Sequence, residues 1–359
     1  MALSTPDLLP LVERIGEQPT AALIGLLTGT VFGVAAQRSR FCLRAATVSF
    51  ARGLWDDKLA VWLLTFSTAV VWVQAATLMG LFRPDEARMM SVSGSWSGAI
   101  LGGLMFGVGM VLARGCSGRL LVLAATGNLR SVVTGLIFAV VAQMSLHGHL
   151  APIRDHLAGL WITPGGRNIN LIAALNLPDW SGLALGLVSA GVALWVARQN
   201  RLGAVRLVFG AGVGFAVALG WVMTFTLSQI AFEPVSVASA TFTGPSAATL
   251  MFLLDSGNVL EFDVGLVPGV FLGSFVAASL AGEFKFQGFE GEANMRRAMT
   301  GAVLMGFGGM LAGGCAIGNG VTGGSIFAAT AWVALASMWV GAMVTDVLVD
   351  QRSGVPVTV

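Results

Sequence analysis

Residues 107–116 read GVGMVLARGC, and residues 306–315 read GFGGMLAGGC. A shift of 199 positions aligns Gly107 with Gly306, Gly109 with Gly308, Leu112 with Leu311, Ala113 with Ala312, Gly115 with Gly314 and Cys116 with Cys315, six identities in ten positions. Two of the chain's three cysteines therefore close the same glycine-rich decapeptide. Both copies sit at the end of an apolar run. The fold turns on the direction in which each run travels.

Hydrophobic residues fill 55% of the 359 positions and charged residues only 11%, with a mean hydropathy of +0.82. That balance excludes an ordinary water-soluble domain and makes the bilayer the solvent. The 48 glycines favour close backbone approach and interrupted helices over bulky core packing. The first 19 residues hold three prolines together with acids and a base, so the first apolar run reads as a retained span and not a cleaved signal peptide. Net charge is +2 without a basic block, so nucleic acid is not an expected partner. The lysines are Lys58 and Lys285 alone and no Gly-Lys pair occurs, which removes a Walker A loop and self-contained ATP-driven work. No metal and no cofactor are expected. The cysteines lack Cys-x-x-Cys spacing, and His147, His149 and His156 lack an i, i+4 pairing on a helix.

At about 20 apolar residues per crossing, spans fall near 20–37, 59–81, 96–113, 130–147, 182–197, 204–228, 264–283, 299–313 and 325–349. The expected fold is an all-α polytopic membrane protein of about nine spans with short broken helices. Arginine-rich links (QRSRFCLR, ARGLWDDK, Arg114 with Arg119, RQNRLGAVR and KFQGFEGEANMRR) fall on one side, while RPDEAR and the Glu233–Asp263 stretch fall on the other. The positive-inside rule makes the arginine side cytoplasmic, with the N terminus outside and the C terminus inside. The decapeptides lie on the third and eighth spans and so run oppositely. A first repeat of about 20–147 and a second of about 204–349, joined by a span at about 182–197, would form an inverted-topology duplication. Short apolar pieces follow both cysteines, CSGRLLVLAATGN and CAIGNGVTGGS, each too short to cross. Broken helices at membrane depth line cavities, and their N-termini favour anions.

Cys116 lies between Arg114 and Arg119, and Cys42 lies in RSRFCLR beside Arg38, Arg40 and Arg44. Cys315 has only small neighbours, Gly314 among them, then Asn319 and Thr322. Positive neighbours attract an anion, and a soft polarizable thiol suits a sulfur-bearing one. The rival reading is plain: a cysteine in an apolar helix is usually a small buried hydrophobe, and Arg38, Arg40 and Arg44 serve equally as topology signals. The candidate substrate-contact set is Cys42, Cys116, Cys315, Arg114, Arg119, Gly115, Gly314 and Asn319. Asp346 and Asp350 near the last span could serve proton coupling, yet no acidic relay runs through the interior spans.

These residues resemble the YeeE/YedE family of sulfur-compound uptake proteins. The resemblance rests on RSRFC at 38–42, on Gly-Cys-Ser-Gly at 115–118 with its upstream Gly-x-Gly, and on GGCAIGNGVTGGS at 313–325, and it spans roughly residues 20–350. It implies a bacterial inner-membrane permease with partial helices and a narrow waist, where thiosulfate passes between the thiols of Cys42, Cys116 and Cys315 through S–H···S contacts. Other members handle related sulfur or selenium compounds, and a cytoplasmic sulfur-carrier protein is an implied partner. The 148–181 segment matches none of these motifs. Two rivals remain: a membrane-bound sulfurtransferase or thiol oxidoreductase using a cysteine persulfide, and a structural subunit with bland cysteines.

Overall fold

A computed structural model describes residues 8–255, 259–289 and 291–352. The two chain ends, to which the sequence reading assigns opposite sides, lie outside the described residues. Among the described residues nine long helices form: α1 (Glu17–Ser39), α3 (Asp57–Leu78), α4 (Trp96–Leu112), α6 (Leu129–Leu146), α7 (Ser181–Gln199), α8 (Ala204–Ile230), α10 (Phe262–Leu280), α11 (Glu292–Leu311) and α12 (Ala329–Thr345). Short helices are interleaved: α2 (Leu43–Ala51), α5 (Ser117–Ala125) and α9 (Thr243–Leu254), with a wide helical turn at Gly318–Gly323. No strand forms among the described residues, and the architecture is all-α and polytopic.

Eight segments of the described chain are long and apolar enough to cross a membrane. The exception among the nine long helices is α11, whose first two turns carry Glu292, Arg296 and Arg297. It starts well before the expected position 299, because Arg296 pairs with Glu292 one turn back and Arg297 pairs with Asp350, which lets the helix extend into polar surroundings. The last long helix starts later than the expected 325, at Ala329, because Phe327 takes a left-handed φ of 55° and breaks the run. Three other starts, those of α3, α4 and α6, follow local capping rules. Asp56 accepts the Lys58 and Leu59 N–H groups ahead of α3, Ser95 accepts Gly98 N–H at 2.8 Å ahead of α4, and Asn128 accepts Ser131 N–H at 2.9 Å ahead of α6.

Glycine sets the helix packing. On α1 and α10, Gly25, Gly29 and Gly33 face Gly265, Gly269 and Gly273 at four-residue intervals. A Cβ on Gly29 would stand 2.2 Å from the Leu266 carbonyl oxygen, and one on Gly265 would stand 1.9 Å from that of Ala22. The contacts advance in the same order along both chains, so α1 and α10 are parallel. The decapeptide helices α4 and α11 meet the other way round: a Cβ on Gly102 would lie 2.5 Å from the Gly308 oxygen, and one on Gly109 would lie 2.6 Å from the Gly301 oxygen. They are antiparallel. Without a hydrophobic driving force between helices in lipid, such backbone contact is what dispersion and weak polar contacts act through.

Two ends can be told apart. At the arginine end, Lys285 and Gln287 hydrogen-bond through their backbone N–H groups to Thr126 and Gly127, and Arg206 pairs with Asp57. At the other end, residues 148–181 form a strap. Trp96 N–H donates to Trp161 O and Leu171 N–H to Phe327 O, at 2.8 and 2.9 Å. Asn168 Nδ2 reaches Thr330 Oγ1 at 2.7 Å. The segment without a recognisable motif thus fixes the start of α12 to the loop before α4.

Candidate functional site

Two of the short helices, α2 and α5, begin beside a candidate residue. Cys42 is the residue before α2 and Cys116 the residue before α5, both in extended backbone. The sharp breaks that place them rest on Arg40 and Arg114, with left-handed φ values of 56° and 55°. The backbone N–H groups of Ala45 and Arg119 point toward the two sulfurs without closing a capping hydrogen bond. Both cysteines are buried, and their thiols face each other as hydrogen-bonding neighbours. One turn into α5, Arg119 is 8% exposed and lies in the electrostatic field of both sulfurs. Its Nε and Nη1 are buried and have no hydrogen-bond partner among the described residues. A guanidinium presents a rigid fork of donors matched to oxyanions, and leaving buried donors unpaired is costly.

The Cys42 side is braced from below. Arg44 on α2 bonds Asp350 at 3.0 Å, Arg297 shares that carboxylate, and Arg52 forks onto Asp346 with two bonds of 2.8 Å. Hydrogen bonding to Asp346 pushes the Arg52 guanidinium further up from its already high range. Asp346 and Asp350 are fully buried, so these pairs hold the position of α2 and with it Cys42. Arg44, not Arg114, is the second cation in the field of Cys42. Gly115 is not enforced by crowding: a Cβ there would meet Leu120 at 3.5 Å, an ordinary contact.

Cys315 sits in a different setting. Its sulfur accepts from Phe242 N–H at 3.3 Å and Gly318 N–H at 3.4 Å, with Thr241 Oγ1 at 3.8 Å. Asn319 ties the turn by donating from Nδ2 to Gly314 O at 2.7 Å. Gly314 and Thr241 line a cavity of about 700 Å³ with Arg88, His147 and Asp263. Asn319 and Thr241 line a neighbouring one of about 590 Å³ with Arg88, Arg154 and Trp221. Both open toward the strap end. Asp263, at 3.2 Å, raises the pKa of Arg88 further through its charge.

The two thiol settings meet across an apolar constriction. A Cβ on Gly118, two residues after Cys116, would stand 2.4 Å from Ile317 Cδ1, two residues after Cys315, and 3.2 Å from the Phe242 ring. Phe32 closes on Phe242 edge-on, with ring centroids 5.0 Å apart. Of the eight candidates, Cys42, Cys116 and Arg119 form one group, Cys315, Gly314 and Asn319 another, and Arg114 and Gly115 form the break between α4 and α5. Sequence reading missed Thr241, Phe242 and Ile317. The apolar stretch TGPSAATLMFLL, too short to cross, was the signal for α9 and for the residues that lead into it.

A family model described as sulphur transport matches residues 38–344. The chain is 28% identical to the thiosulfate transporter TsuA of Escherichia coli (strain K12) over 362 residues, covering 92% of this chain and 95% of that protein. It is 27% identical to the thiosulfate transporter TsuA of Spirochaeta thermophila over 329 residues, covering 86% of this chain and 93% of that protein.

Proposed function

The chain belongs to the sulphur-transport family, and from that premise we propose that it imports thiosulfate, or a small sulfur oxyanion like it, along a path that carries all three thiols. The observation that carries this reading is Arg119: a buried guanidinium with unpartnered Nε and Nη1 beside two facing thiols. The oxygens of the anion would take the guanidinium donors, and the thiols would donate to its terminal sulfur. Thiols are weak donors, so the anion is held without being trapped. Cys315, reached from the cavities at the strap end, would be the earlier contact, and the apolar neck at Gly118, Ile317 and Phe242 would strip water between them. The thiols act in their neutral form, because a buried thiolate would repel a dianion. Moving two negative charges inward against an inside-negative potential costs ~4.6 kcal/mol per 100 mV. Net import therefore needs a coupling ion or rapid consumption of the product, and a sulfur-carrier protein at the arginine end is the partner that consumption would suit.

The same reading places the membrane around the nine long helices with the arginine end cytoplasmic. It also treats residues 20–147 and 204–349 as inverted copies about α7. Its support is the recurrence of helix, cysteine break and short helix after each decapeptide.

The test is radiolabelled thiosulfate uptake, or growth on thiosulfate as sole sulfur source, in a host lacking its own importer. Uptake by the native chain that collapses in Cys116→Ala at unchanged expression supports the path; undiminished uptake in Cys42→Ala, Cys116→Ala and Cys315→Ala removes it. The Cys42–Cys116 pair favours one second reading, a persulfide enzyme. There a Cys116 thiolate would attack the outer sulfur of thiosulfate, the S–S bond of thiosulfate would break, and sulfite would leave. Intact mass after exposure to thiosulfate decides: a chain one sulfur atom heavier supports the enzyme, and an unchanged mass supports transport.

A further inference from the structure

We propose that the arginine end carries a second site for the same small divalent oxyanion, built on Arg40 with Arg38, and that the Glu283 carboxylate occupies it here. The proposal rests on the reading of Arg119 as the anion's inner seat. Arg38, Arg40 and Glu283 line a cavity of about 700 Å³ that also takes in Asp56, Asp57, Arg201 and Arg206. Four arginines face three carboxylates there, one positive charge in excess. The carboxylates are not equivalent. Asp56 is committed to the start of α3, where Oδ1 accepts Lys58 N–H at 3.1 Å and Oδ2 accepts Ser49 Oγ at 2.7 Å. Asp57 pairs with Arg206. Glu283 alone reaches across to α1, accepting from Gln37 Nε2 at 3.0 Å and Arg40 Nη2 at 3.5 Å.

Arg40 stands two residues before Cys42, in the left-handed break that ends α1. Arg40 and Glu283 both act electrostatically on the buried Arg119, which ties this cavity to the inner seat. Arg40 is 54% exposed and Glu283 37%, which puts the pair at the mouth and not in the core. A two-oxygen carboxylate gripping a guanidinium and an amide has the hydrogen-bonding form of an oxyanion. An anion leaving Arg119 meets Arg40 next and must displace Glu283 to bind. Glu283 therefore keeps the mouth empty until an anion arrives, and its negative charge then pushes that anion out of the protein on the cytoplasmic side.

The experiment is equilibrium dialysis of radiolabelled thiosulfate against the purified full chain in nanodiscs at low ionic strength. It compares the native protein, Glu283→Gln and Arg40→Gln/Glu283→Gln. The expected result is one anion per native chain, two for Glu283→Gln, and a return to one in the double variant. One anion for both native and Glu283→Gln overturns the second site, and two on the native chain overturns the role given to Glu283. No anion on the native chain but one on Glu283→Gln supports the mouth site and overturns the Arg119 seat, whereas no binding to any chain overturns both. Glu283 lies outside the helices at a partly exposed position, and circular dichroism of each variant checks the fold.

Discussion

Cys116 and Cys315 end matching decapeptides, yet their surroundings use different chemistry. Cys116 faces a second thiol and lies in the field of a buried guanidinium. Cys315 gathers two backbone N–H groups and a hydroxyl. A full charge in a poorly solvated place acts strongly and over distance, whereas peptide dipoles act only at contact and need no counter-charge. The first is suited to hold an anion, the second to pass one on.

The comparison can be broken hardest at Arg119. Arg119→Gln removes the charge but keeps a donor, and should raise the KM of uptake by about 10- to 100-fold, as a charge-assisted bond of ~1.5–3 kcal/mol implies. Measured by initial rates over a range of thiosulfate concentrations, an unchanged KM would mean the guanidinium serves structure only. The neck between the two settings comes next. Gly118→Ala puts a methyl 2.4 Å from Ile317 Cδ1 and should cut kcat about tenfold with KM little moved. Ile317→Ala in the same chain should restore much of the loss, a coupling that a double-mutant cycle reads directly. Cys315→Ser should cost less than about fivefold, because a hydroxyl still accepts from Phe242 and Gly318, while Cys315→Ala should cost more. The smallest effect concerns pH. Asp263 and Asp346 push the pKa values of Arg88 and Arg52 up, so neither discharges in the working range. With neutral thiols and both guanidiniums charged, uptake should stay flat from pH ~6 to ~7.5. A sharp optimum below pH 7 would point to a thiolate instead.

Much of this was legible beforehand. All nine long helices were visible as apolar runs, because in lipid the backbone leaves little choice but helix and the length of a run then sets the span. The repeated Gly-Cys gave the two breaks. The meeting of Cys42 with Cys116 was not legible, since it depends on how α2 folds back after the left-handed Arg40, and no periodicity encodes that. Phe242 was invisible for a related reason: its contribution to Cys315 is a backbone N–H, which every residue except proline carries. The ion pairs of Asp346 and Asp350 with Arg52, Arg44 and Arg297 join positions about 300 or about 50 residues apart. They explain the two acids without assigning them to proton transfer.

The glycine seam between α1 and α10 has a consequence at the level of the gene. A Cβ at Gly25, Gly29, Gly265, Gly269 or Gly273 would lie within 2.3 Å of a carbonyl oxygen of the facing helix. Every missense change reachable from a glycine codon adds at least that carbon. This seam should therefore stand out in a saturation-mutagenesis map as a row of positions with no tolerated allele, legible by selection even where nothing of the transport chemistry is touched.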